Sequence, residues 1–172
     1  AKDVVITGNA ADVKTVLKAE GITLDKITVG DAVAVVVTGK VSAADVNTIA
    51  KATVGAVTAT EVAAGTAASL KAALTDTTAT DALTLTVTGT ATAADLISLI
   101  GKTTLVVDAS KVTAITGKAA DVKTVVESAD ISTATNVAVT ITDSLTDVTD
   151  LNAIADKSGK ITAKLEANMA TL

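Results

Sequence analysis

Aliphatic residues alternate with threonine or alanine in several stretches. Leu83, Leu85 and Val87 alternate with Thr84, Thr86 and Thr88, and Val137, Val139 and Ile141 alternate with Ala138, Thr140 and Thr142. A period of two puts alternate side chains on opposite faces, so these segments predict strands with one aliphatic and one small polar face. Val4 to Gly8, Val33 to Gly39, Val62 to Gly65 and Val112 to Gly117 are further extended segments that close on glycine. A helical spacing follows several of them: Val13, Val16 and Leu17 stand at i, i+3 and i+4, as do Val46, Ile49 and Ala50, then Leu96, Leu99 and Ile100, then Val122, Val125 and Val126. That spacing predicts helices with one apolar stripe. Ser42, Thr66, Thr92 and Thr146 occupy N-cap positions, and Asp12, Asp45, Asp95, Asp121 and Asp150 fall in the first turn, where negative charge suits the helix dipole.

The helix starts share a signature: Ala10-Ala11-Asp12-Val13, Ala43-Ala44-Asp45-Val46, Ala67-Ala68-Ser69-Leu70, Ala93-Ala94-Asp95-Leu96, Ala119-Ala120-Asp121-Val122 and Val148-Thr149-Asp150-Leu151. Its third position recurs at steps of 33, 24, 26, 26 and 29, and the turn before it is alternately short and long. Self-similarity of this kind predicts approximate double units over 1–56, 57–108 and 109–159, with 160–172 opening a further one. Strands alternating with helices require parallel pairing and right-handed crossovers. The expected fold is therefore an α/β class repetitive right-handed solenoid, with a parallel sheet on one side and short helices on the other, in a leucine-rich-repeat-like layout. A doubly wound domain is the competing closure, and it needs strands apolar on both faces. The threonine alternation at Leu83 to Thr88 opposes that closure, whereas Val33 to Val37 fits either.

Composition narrows the chemistry. Arg, Gln, His, Cys, Pro, Phe, Tyr and Trp are all absent from the 172 residues. Imidazole bases, thiolates, disulfides, zinc or haem ligands, guanidinium forks and aromatic stacking platforms are excluded with them. The core must consist of Val, Ile, Leu and Ala, whose small side chains require closely spaced layers. A net charge of −5, with 14 lysines scattered among 19 acids, argues against nucleic acid as a partner. The longest uncharged stretch, Ala82 to Ala94, is shorter than the roughly 20 residues of a membrane span and carries several threonines.

Candidate sites are few. Gly101-Lys102-Thr103 resembles the end of a phosphate-binding loop, but the required earlier glycine position holds Leu96 and the tripeptide follows a helix instead of opening one. The glutamates Glu20, Glu61, Glu127 and Glu166 stand at unmatched phases, so no catalytic carboxylate pair is expected. Asp143, Asp147 and Asp150 cluster, as do Asp76 and Asp81, which keeps structural calcium open beside a reading of solvated turn acids. A threonine face for ice is interrupted by Val36, Ala34 and Ala138. No catalytic, cofactor or metal residue is assigned, and the chain is expected not to be an enzyme.

Taken together, the Val-Thr-Gly turn, the Ala-Ala-Asp-Val or Ala-Ala-Asp-Leu signature and the short aliphatic helix resemble the Thr/Ala/Val-rich strand-helix repeats of long bacterial cell-surface or secreted adhesin-like proteins. The resemblance implies an extracellular, non-catalytic structural part in a surface layer, fibre or adhesin. Both ends read as incomplete units, so the expected partners are other copies of the chain, stacked head to tail into filaments, or neighbouring repeats of a longer chain. A ligand-binding adhesin module, dependent on calcium or directed at ice or surfaces, is the alternative.

Overall fold

A computed structural model describes residues 5–18, 33–145 and 148–166. The helices stand where local pattern places them: α1 (Ala10–Lys18), α2 (Ala43–Lys51), α3 (Ala67–Ala73), α4 (Ala93–Ile100), α5 (Ala119–Glu127) and α6 (Thr149–Ala155). Ser42, Thr66 and Thr92 cap α2, α3 and α4 by accepting the backbone N–H three residues on. Thr146 lies outside the described residues. Asn9 performs the same task for α1, its Oδ1 accepting from the Ala11 and Asp12 N–H groups at 3.0 Å each. For α5 the cap comes from another element, since Asp143 Oδ1 accepts the Ala119 N–H at 2.9 Å.

The strands are β1 (Val5–Gly8), β2 (Ala34–Val37), β3 (Val57–Ala59), β4 (Ala82–Leu83), β5 (Thr86–Thr92), β6 (Val107–Gly117), β7 (Ile131–Thr133), β8 (Ala138–Leu145) and β9 (Ile161–Leu165). They form two separate parallel sheets, one of four strands in the order β1-β2-β3-β4, the other of five in the order β5-β6-β8-β9 with β7 also on β6. The expected continuous, repetitive solenoid of leucine-rich-repeat type is therefore corrected to an α/β domain with two discrete sheets and interspersed helices. The break has a local cause. The predicted strand Leu83 to Gly89 changes partner within itself, so that Leu83 pairs with Ala59 of β3 while Thr86 pairs with Asp108 of β6. On the β3 side the ladder stops at Ala59, and the predicted strand Val62 to Gly65 provides only isolated bridges, Val41 to Val62 and Gly65 to Val87. Ala63, Ala64 and Gly65 lack the β-branched side chains that hold an extended run.

Both sheets and the helices share one apolar cluster. Val35, Val57, Leu83, Leu85, Val87, Leu96, Leu99, Ile115, Val122 and Ile154 within it are inaccessible to solvent. Burial of each such side chain contributes roughly 1.5–3 kcal/mol. The alternating pattern survives where the sheets are regular, with Val139 and Ile141 inward and Thr140 outward on β8.

Candidate functional site

Polar side chains within the core are engaged by the backbone. Asp81, 4% exposed, accepts the Val57 N–H at 2.7 Å through Oδ1 and the Thr78 N–H at 2.8 Å through Oδ2. Thr103 Oγ1 accepts the Leu83 N–H at 2.9 Å and donates to the Leu83 carbonyl at 2.8 Å. Thr103 thus ties α4's trailing turn to β4, and Lys102 Nζ reaches the Thr75 and Thr77 carbonyls at 3.4 and 3.3 Å. The Gly101-Lys102-Thr103 tripeptide joins neighbouring segments instead of opening onto a phosphate.

The first-turn aspartates mostly bind lysines. Lys14 of α1 pairs with Asp45 of α2, Lys71 of α3 with Asp95 of α4 at 2.7 Å, and Lys123 of α5 with Asp150 of α6 at 3.3 Å. The lysine hydrogen bond is the main reason the Asp45 and Asp95 carboxyls are held below the usual aspartate range, with smaller help from Ser42 and Thr92. Asp108 is lowered chiefly by the Ser110 hydroxyl, which donates to it at 2.6 Å, and by the Ser110 N–H. The described acids of the two clusters considered for calcium are engaged by protein donors. Asp143 caps α5, Asp150 meets Lys123 and Asp76 receives Asn47, while Asp147 lies outside the described residues. Among the described residues no group of three or more acids converges on a metal position.

Two surface features remain. The first is a cleft of about 300 Å³ lined by Ser110, Lys111, Val112, Thr113, Ala134, Asn136 and Val137. It arises because β6 pairs with β7 up to Ala109 and Thr133 and with β8 only from Ala114 and Ala138, so the ladder is open between. Two of its hydroxyls are turned to the protein itself, Ser110 toward Asp108 and Thr113 toward the Gly89 carbonyl at 3.2 Å. The second is the end of the molecule formed by α6 and β9. Among the described residues β9 is hydrogen-bonded on one side only, to β8. Leu145, Leu151, Ile161 and Ala163 are only partly buried there, and Leu165 is 57% exposed. The sequence pattern marks 160–172 as the opening of a unit left incomplete, but no single residue of β9 distinguishes it from any other short aliphatic strand.

Comparison with protein-family models, with curated proteins and with solved structures returns no match. The resemblance to Thr/Ala/Val-rich adhesin-like repeats therefore finds no support, and the two-sheet domain removes its structural premise. The readings that depended on it are withdrawn with it: a repeat-built part of a surface layer, fibre or long adhesin, head-to-tail assembly into filaments, and a calcium-dependent or ice-binding adhesin module.

Proposed function

We propose that this chain is a non-catalytic domain that docks a protein segment at its α6–β9 end. The observation that carries the reading is the unequal closure of one apolar core. Val57 and Ala59 of β3, which has a strand on each side, are fully buried, whereas Ile161 and Ala163 of β9 are partly open and Leu165 is exposed. A strand with a free edge and a neighbouring apolar strip is the surface that an added strand completes, with backbone hydrogen bonds supplying affinity and alternate side chains supplying selectivity.

The non-catalytic part draws on the occupied state of the polar groups. Asp81, Thr103 and the paired aspartates are held by backbone or lysine partners, leaving them poorly placed for proton transfer. The net charge of −5 favours protein over nucleic acid as the partner.

Selection of extended peptides from a display library tests the reading, using the wild-type chain, Leu165→Lys and, as a control on another surface, Val54→Lys. The expected result is enrichment of aliphatic extended sequences on wild type and Val54→Lys, and their loss on Leu165→Lys. Enrichment indifferent to Leu165, or none, contradicts docking at this end.

A further inference from the structure

The α6–β9 end has a filled counterpart inside the same molecule. Asp45, Val46, Asn47, Ile49 and Ala50 of α2 match Asp150, Leu151, Asn152, Ile154 and Ala155 of α6 in order and spacing. Each aspartate takes a lysine from the preceding helix, Lys14 in one case and Lys123 in the other. The strands that follow also match, Val57-Thr58-Ala59 against Ile161-Thr162-Ala163. Val35 pairs with Val57 and donates to the Ala56 carbonyl at 2.9 Å, and Val139 pairs with Ile161 and donates to the Lys160 carbonyl at 2.8 Å. Even the tight approaches agree. A Cβ on Gly55 would meet the Val33 carbonyl oxygen at 2.3 Å, and one on Gly159 the Asn136 carbonyl oxygen at 2.6 Å.

At the filled counterpart the occupant is the segment Leu74 to Leu83. Asn47 donates to Asp76 Oδ2 at 2.8 Å and to Thr75 Oγ1 at 3.1 Å, and its Oδ1 accepts the Asp76 N–H at 2.7 Å. Five residues on, Asp81 receives the outward Val57 N–H, after which Ala82 and Leu83 pair with β3. Leu74 and Leu83 are fully buried against the core. At the other end Asn152 is exposed and its side chain has no hydrogen-bond partner among the described residues. The Ile161 N–H holds the register of the Val57 N–H, on the side of β9 that has no strand partner among the described residues. Lys157 and Lys160 are exposed at this end against Asp156, while Lys164 pairs with Glu166 at 3.7 Å.

From this correspondence we infer that the α6–β9 end binds an acidic extended segment carrying two aspartates five residues apart between aliphatic residues, with Asn152 reading the first aspartate and the Ile161 N–H the second. This rests on the docking reading proposed above and adds the chemistry of the partner. Lys157 and Lys160, set against the single Asp156, favour such a segment over a basic one by simple charge complementarity.

The test uses the full chain, labelled with ¹⁵N, and two synthetic peptides with blocked ends. One has the sequence of residues 74–83, LTDTTATDAL, and the other carries alanine at both aspartates. The expected result is that the first peptide shifts the Asn152 side-chain amide and the Ile161 to Leu165 backbone signals. Binding of the second peptide, or of the first to Asn152→Ala, should be weaker by about tenfold or more, as loss of a hydrogen bond to a charged group implies. Asn152 is exposed, so its replacement leaves the fold intact. Equal binding of both peptides at this edge overturns the inference while leaving docking itself standing. No shift of residues 151–165 at millimolar peptide also overturns it, and the library selection then decides docking separately. A chain that sediments as a dimer with these signals already protected overturns it too, a second copy then being the occupant.

Discussion

Asp81 is a buried carboxyl group held by backbone donors. Its two carboxylate oxygens serve β3 and the turn before β4, so Asp81→Ala leaves the Val57 and Thr78 N–H groups without their acceptor. The expected loss is about 2–4 kcal/mol, measured by urea unfolding. Thr103→Val conserves shape but removes the hydroxyl that both accepts from and donates to Leu83, and should cost about 1–3 kcal/mol, with Thr103→Ser retaining most of the stability. The lowered carboxyls of Asp45, Asp95 and Asp108 set the direction of the pH dependence. A carboxyl that binds its proton less tightly in the folded chain contributes stability that is complete above its unfolded value, near 4, and disappears as pH falls through its lower folded value. The thermal midpoint should therefore drop on acidification below about pH 4, and a chain carrying Asp45→Asn, Asp95→Asn and Asp108→Asn should lose part of that slope. At pH 7 each exposed pair contributes only about 0.2–1 kcal/mol.

The helices were legible because their signals are local. Ser or Thr just before the Ala-Ala signature places the starts of α2, α3 and α4, and in α2 and α4 an apolar stripe at i, i+3 and i+4 follows. Caps supplied from elsewhere were not legible, since Asp143 reaches α5 from β8, twenty-four residues away. Asn9 was within reach of the same reasoning, as a side-chain acceptor directly before the Ala10-Ala11-Asp12 run. Strand limits depended on partners and were less readable. Leu83 to Gly89 alternates perfectly, yet its two halves join different sheets because β3 ends at Ala59. Packing of the stripes is the main source of helix stability, so Leu96→Ala, at a site closed to solvent on α4, should cost about 2–5 kcal/mol by chemical denaturation. A conservative exchange on the outward side, such as Thr140→Ser, should change the unfolding midpoint little.

At the scale of the whole molecule, periodic texture suggested one uninterrupted sheet, and pairing divided it in two. Side-chain spacing reports which face of a strand is inward but carries no information on which neighbour completes the ladder. The incomplete unit at 160–172 was legible, but the side chains that would recognise a partner there were not. Asn152, Ile161 and Leu165 look ordinary in sequence, and their meaning comes only from comparison with Asn47, Val57 and the segment that covers them. The open side of β9, set against the covered side of its counterpart β3, is the basis for reading the chain as a docking domain. Amide hydrogen exchange of the intact chain, with and without a saturating peptide from the library selection, tests that reading most directly. Added protection confined to residues 151–165 is the predicted result. Protection centred on the 110–113 and 134–137 cleft or on β1, with α6 and β9 unchanged, would contradict it.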